Sequence, residues 1–207
     1  AQLCEAVQPQ VEHVVLVDNG SSTEALAALQ ALVKGSSSAL PLLPLGENRG
    51  IGAAQNAGIA LARQRDSRYV LLLDHDSIPE ADMVATLRAA IENQPAGSPP
   101  VAAAGPRYAD ARQTTNPSPF VQLEGFKRVR CECRHAGQLI EVEHLIASGS
   151  LILMAVLDAV GDMDERLFID YVDIEWCLRA AHAGYRMLDS AFNYENEGAL
   201  GAAVRRC

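Results

Sequence analysis

Two carboxylates one residue apart, Asp74 and Asp76, follow directly on the apolar run Val70-Leu71-Leu72-Leu73. Such a run reads as a core strand, and a strand that ends on paired acids carries hard oxygen ligands to the mouth of a pocket. If the strand continues through the pair, alternate residues share a face, so Asp74 and Asp76 point together and His75 points away. The pair suits Mg²⁺ or Mn²⁺, which keep several waters and bind a substrate diphosphate between few protein ligands. Acids at a strand end also serve as plain solvated turn formers, and the pair taken alone leaves that reading open.

A second acidic cluster lies in Phe168-Ile169-Asp170-Tyr171-Val172-Asp173-Ile174-Glu175-Trp176, just before a helix predicted over Trp176 to Ala183 and stopped by Gly184. Asp170 and Asp173 are three apart, which puts both on one face of a first helical turn. Acids there can cap free N–H groups and complement the helix dipole. A carboxylate partly desolvated by Phe168, Tyr171 and Trp176 can instead act as a general base. Spacing alone leaves both roles open.

The elements that must position these acids alternate. His13 to Val17 reads as a strand closing on the turn Asp18-Asn19-Gly20-Ser21-Ser22, and Thr23 to Lys34 as a helix stopped by Gly35. Leu40 to Leu45 is a second strand, followed by Glu47-Asn48-Arg49-Gly50-Ile51-Gly52 and an Ala-rich helix to about Arg65. Tyr69 to Leu73 is a third strand; Pro79 takes a favoured helix-start position and Glu80 to Asn93 carries the helical pattern. This order predicts an α/β fold with a mostly parallel central sheet and helices on both faces. Asp18, Asn48 and Asp76, each just past a strand, should then converge on one rim. Gln94 to Pro100 is a linker, Val101 to Gly105 another strand, and Pro106 to Val142 a polar excursion expected to face substrate. Order resumes from His144 to Met154, with a helix after it.

With 207 residues and 49% hydrophobic content the chain can bury one substantial core, which favours a single domain. A net charge of −9 argues against a nucleic-acid partner. The one basic cluster, Lys127-Arg128-Val129-Arg130, reads as a solvated loop face. No apolar run reaches the roughly 18 residues of a membrane span, and the longest, Leu145 to Leu157, is interrupted by Ser148-Gly149-Ser150. Cys4, Cys131, Cys133, Cys177 and Cys207 form no CxxC pair and suit a reducing cytosol. Cys131, Cys133 and His135 lack a fourth partner at a spacing that would hold zinc. Ala1 to Gln8 reads as the tail of an amphipathic helix with no strand before it, so the domain is expected to be truncated at one or both ends.

Val17-Asp18-Asn19-Gly20-Ser21, the segment Glu47 through Gly58, Leu73-Asp74-His75-Asp76-Ser77 and Phe168 through Arg179, taken in that order, resemble family 2 glycosyltransferases of the rhamnosyltransferase type. A lone DxD would mean little; the ordered set covers nearly the whole chain. The resemblance implies a GT-A fold and one catalytic domain over residues 1–207, with 1–105 as the nucleotide-sugar-binding half and 106–207 as the acceptor-binding and catalytic-base half. It implies inverting transfer of a sugar from a nucleotide-sugar donor, dTDP-L-rhamnose, to a hydroxyl of a saccharide or lipid-linked acceptor in cell-surface glycan synthesis. The expected setting is the cytoplasm, or peripheral association with the cytoplasmic face of the inner membrane. By the family's pattern Asp18 contacts the base or ribose, and Asn48, Arg49, Gly50 and Asn56 line the nucleotide pocket. Asp74 and Asp76 bind ribose and the diphosphate-bound Mg²⁺ or Mn²⁺, Asp173 is the base, and Asp170, Glu175 and Trp176 face the acceptor. Two positions depart from that pattern: no counterpart of the relatives' first strand precedes Ala1, and Asn193-Tyr194-Glu195-Asn196 stands where many relatives carry a His. A non-catalytic nucleotide-sugar-binding module is the alternative from another class; a nucleotidyltransferase would need a basic phosphate loop that is not evident.

Overall fold

The computed structural model describes residues 2–35, 40–106, 108–110, 120–124, 127–131, 138–191 and 204–206, with backbone alone for 108–110, 120–124, 127–131, 138, 191 and 204–206. In the first half, local sequence signals and structure agree closely. The chain opens with α1 (Gln2–Val7), and β1 (Leu16–Asp18) leads into α2 (Thr23–Gly35). Ser22 starts α2 by accepting the Ala25 N–H on its hydroxyl at 3.2 Å and the Leu26 N–H on its carbonyl at 2.9 Å. Next come β2 (Leu42–Pro44), α3 (Ile51–Gln64) and β3 (Tyr69–Leu71). Each of these strands is shorter than its apolar run.

One local expectation is overturned. Pro79 does not start a helix; it ends the short strand β4 (Ser77–Pro79), and α4 (Met83–Glu92) begins further on. One open N–H at that helix start is met from far away: the Gln10 side chain accepts the Val84 N–H at 3.1 Å and donates to the Glu80 carbonyl at 2.7 Å. No local pattern announces a cap supplied by a residue so distant in the chain.

Thereafter come β5 (Val101–Pro106), β6 (Tyr108–Asp110), β7 (Phe120–Glu124), β8 (Lys127–Cys131), β9 (Gln138–Val142) and β10 (Leu151–Leu153). The last described elements are α5 (Met154–Val160), α6 (Val172–His182), β11 (Arg186–Ala191) and β12 (Val204–Arg206). The central sheet runs β3-β10-β5-β11-β9. Strand β10 lies antiparallel between β3 and β5, while β11 is parallel to β5, so β3, β5 and β11 share one direction. β1 and β2 pair in parallel beside it, in register Leu16↔Leu42. Cys133, His135 and 193–196 lie outside the described residues.

Alternation along the central strands sends side chains to two cores. Ile152 and Met187 join Ile59, Leu157, Val172 and Trp176 on the face covered by α3, α5 and α6. Their neighbours Leu151 and Leu188 join Met83, Leu87 and Ile91 under α4 on the other. β5 is buried along its whole length with small side chains, Val-Ala-Ala-Ala-Gly-Pro, which lets both layers close on it. Between β1 and β3 lies a groove of about 590 Å³, walled by Val7, Leu16, Ile59, Val70 and Leu72 and extending to Asp74.

Cys177 sits in the first core at 3% exposure, where the Leu145 N–H donates to its sulfur at 3.4 Å. Burial pushes the thiol from its ordinary 9.0 up to about 11. A folded-state value above the unfolded one stabilises below the unfolded value and loses that contribution as pH rises through the folded one. Denaturant titrations should therefore show the parent protein losing stability between pH 9.0 and about 11 more steeply than Cys177→Ala.

Candidate active site

The two loops that the resemblance assigns to the donor are locked together. Asn48 accepts from the Asn19 side-chain amide at 3.1 Å and from the Gly50 N–H at 3.0 Å, and Asn19 in turn accepts the Arg49 N–H at 2.9 Å. Gly20 permits the approach: at φ +80° a Cβ there would lie 2.3 Å from the Asn48 nitrogen. Asp18, 3% exposed, ends β1 behind this junction and accepts the Ser21 N–H at 3.3 Å. The side chains of Asn48 and Arg49 are exposed on the rim. Asn56 is spent elsewhere. Its amide exchanges two 2.9 Å bonds with the Met163 backbone and donates to Glu165 at 3.0 Å, so it ties α3 to the later half of the chain.

The strand does not continue through the acid pair. β3 ends at Leu71, and Asp74 to Ser77 form a turn closed by the Ser77 N–H on the Asp74 carbonyl at 3.1 Å. Strand alternation therefore does not orient the acids, yet the outcome is similar: His75 is exposed while Asp74 and Asp76 are half-buried. The turn is fastened from behind by Ser148, whose hydroxyl accepts the Asp74 N–H at 3.0 Å and pairs with the Ser77 hydroxyl at 2.7 Å. Ser148 and Ser77 are 3% and 0% exposed. On either side Gly149 donates to Leu72 at 2.7 Å and Leu72 to Ser150 at 3.0 Å.

The next residue back completes the connection. Ala147 donates its N–H to the Asp173 carboxylate at 3.1 Å, so one short segment, 147–148, holds the acid turn with one residue and Asp173 with the other. Beneath Asp173 the floor is apolar, with Leu72, Leu145, Met163 and Trp176 around a void of about 10 Å³. Asp173 is half-buried in the first turn of α6, and its other oxygen accepts the Ile174 N–H at 2.8 Å.

Three expectations about the acceptor side change. Asp170 does not share a helical face with Asp173, because Tyr171 is in the left-handed region at φ 66° and α6 starts only at Val172; Asp170 stands exposed ahead of it. Glu175 does not reach toward a ligand: it holds Arg179 with two 2.8 Å bonds, while Arg179 donates to the Val160 and Asp162 carbonyls at 2.8 Å each. That fork pins α6 to the end of α5. Trp176 is 1% exposed, and its indole N–H donates to the Gly161 carbonyl at 2.9 Å, so it is a core residue.

The loop at 48–51 also touches the loop before α6. Phe168 accepts the Ile51 N–H at 2.6 Å, satisfying an open donor at the start of α3, and a Cβ on Gly50 (φ +86°) would fall 2.6 Å from the Phe168 oxygen. Hydrogen bonds thus run in two sets, one from Asn19 and Asn48 through Gly50–Ile51 to Phe168 and one from Asp173 through Ala147–Ser148 to Asp74, and the chain from Phe168 to Asp173 joins them. Asn19 and Ser148 were not singled out from the sequence. Asn19 carried a signal in its Asn-Gly turn, and Ser148 in the small polar break within an apolar run.

Among the described residues no group of three or more His, Cys, Asp and Glu comes together as a complete metal cage. Mg²⁺ bound with a substrate diphosphate needs only one or two carboxylates, and two hard oxygen donors on one anchored turn fit that requirement.

A family model described as glycosyl transferase family 2 matches residues 1–154. A dTDP-rhamnosyl transferase of Shigella flexneri, RfbF, is 31% identical over 173 residues, covering 83% of this chain and 55% of that one, so the chain spans about half the length of this curated relative. Among solved structures, GalNAc-T7 with UDP, GalNAc and Mn²⁺ superimposes on 99% of this chain and 40% of its own with a TM-score of 0.71 at 14% identity. TarS 1–349 of S. aureus covers 99% of this chain and 55% of its own, with a TM-score of 0.64 at 15% identity. Its complex with UDP covers 93% of this chain and 54% of its own, with a TM-score of 0.63 at 16% identity. The fold is GT-A, an α/β fold.

The structural work assigned to α6 predicts where its substitutions act. Trp176→Ala should lower the unfolding free energy by about 3–5 kcal/mol, and Glu175→Gln by about 1 kcal/mol, both read by urea denaturation. Contacts made to an acceptor would instead leave stability unchanged.

Proposed function

The chain belongs to glycosyl transferase family 2, and from that premise we propose that it is the catalytic domain of an inverting glycosyltransferase using a nucleoside-diphosphate sugar. The donor is dTDP-L-rhamnose, a reading supported by the name of the Shigella relative and by the motif Phe168 to Asp173. The acceptor is a hydroxyl of a saccharide or lipid-linked saccharide in cell-surface glycan synthesis, met in the cytoplasm or at the cytoplasmic face of the inner membrane. Among the described residues no helix is long and apolar enough to cross a membrane. Residues 1–105 hold the donor and 106–207 carry the base and the acceptor side.

The observation that carries this reading is the pair of bonds from adjacent residues, Ala147 to Asp173 and Ser148 to Asp74, at 3.1 and 3.0 Å. They bring a carboxylate suited to a base beside a turn suited to a diphosphate. In the reaction, Asp18 and the Asn48–Gly50 loop hold the nucleoside, Arg49 offers an exposed cation to the phosphates, and Asp74 and Asp76 hold Mg²⁺ or Mn²⁺. When bound, the cation offsets the charge that develops on the departing nucleoside diphosphate. Asp173 takes the proton of the acceptor hydroxyl as its oxygen bonds to the anomeric carbon and the bond from that carbon to the diphosphate breaks. Attack from the face opposite the leaving group inverts the anomeric centre.

Asp173→Asn should bind donor nearly as the parent does while transfer falls by at least about 10²-fold, read by calorimetry and a transfer assay; transfer near the parent rate would refute the base. Asp76→Ala should remove the Mn²⁺-dependent part of donor affinity. Equal donor affinity of the parent with and without Mn²⁺ would refute the metal assignment.

A further inference from the structure

The loop between Leu167 and Val172 turns an apolar surface outward in a strained conformation. Phe168, Ile169 and Tyr171 are 48%, 67% and 68% exposed. Phe168 and Tyr171 both lie at positive φ, 59° and 66°, a region that bulky side chains rarely enter and that costs about 1–3 kcal/mol per residue. Folding alone gives no return for this, since neither Ile169 nor Tyr171 is buried by it. The strain is held in place by the donor loop, through the Ile51 N–H on the Phe168 carbonyl at 2.6 Å and the contact with Gly50. The loop is therefore fixed relative to the donor side, and only Val172 separates it from Asp173.

Its chemistry selects among occupants. Exposed apolar patches mark binding surfaces, and this one is interrupted by the exposed carboxylate of Asp170. An acyl chain would leave that carboxylate without a partner. A sugar ring has apolar C–H faces and hydroxyl edges, which match an aromatic ring beside a carboxylate.

We propose that residues 168–171 form the acceptor platform, with Tyr171 and Ile169 lying against the C–H face of an acceptor sugar ring and Asp170 accepting its hydroxyls, so that one hydroxyl is presented to Asp173. The proposal rests on the glycosyl-transfer reading above. It assigns Tyr171 a specificity-determining role that spacing did not reveal, and it replaces Glu175 and Trp176 on the acceptor side.

The test uses the full chain and four methyl glycosides, of glucose, galactose, N-acetylglucosamine and rhamnose, followed by saturation-transfer NMR. At least one should receive saturation on its ring C–H protons. Tyr171→Ala should weaken its binding about tenfold, Tyr171→Phe should restore it, and Asp170→Asn should weaken it. The melting temperature of Tyr171→Ala should match that of the parent. Binding unaltered in Tyr171→Ala, or no saturation of any glycoside by a parent that hydrolyses donor, overturns the platform alone. Absence of donor hydrolysis in the parent defeats the underlying transferase reading instead.

Discussion

A single buried hydroxyl organises the candidate site. The Ser148 hydroxyl, on a residue 3% exposed to solvent, accepts the Asp74 N–H and shares a second hydrogen bond with the Ser77 hydroxyl, in which either oxygen can donate. In so dry a place each bond is stronger than it would be in water, and leaving one unmade would cost about 1–3 kcal/mol. The turn that carries Asp74 and Asp76 is thereby fixed to β10's approach. Because Ala147 precedes Ser148 and holds Asp173, the same fixation sets the distance between the two acidic motifs.

The rest of the architecture supports that constraint from both sides. Antiparallel β10 runs between β3 and β5, so the segment 147–150 emerges beside the end of β3, where the acid turn begins. α6 is held at the angle that aims Asp173 back toward Ala147 by the Arg179 fork onto Glu175, Val160 and Asp162 and by the Trp176 indole on Gly161. α3 reaches across with Asn56 and Ile51 to fasten residues 163–168. Residues that look chemical in the sequence, Asn56, Glu175 and Trp176, turn out to hold this frame. Ser148, which looks like filler in the sequence, fastens the acid turn.

The loop at 168–171 breaks local rules without a gain in packing. Two bulky residues at positive φ, next to a buried and well-satisfied helix, imply that the surrounding contacts over-determine the loop. Its tie to Gly50 and Ile51 means that the loop after β2 and the loop before α6 share a wall. A change in the loop at 48–51 is therefore felt directly by the residues leading into Asp173.

What the sequence determined by itself is what depends on neighbours along the chain: the alternation of apolar runs with helices, α2 from Ser22 to Gly35, the layered α/β fold, and the four motifs with their order. Those signals are local because capping, turns and periodicity are local. The tertiary structure alone decided that β10 runs antiparallel between β3 and β5, that α4 waits for a cap from Gln10, and that the acids sit on a turn rather than a strand. It also decided which polar residues are spent on each other. An amide or carboxylate has the same appearance in a sequence whether it ends against a backbone carbonyl or opens to solvent, and only the packing of distant segments distinguishes the two.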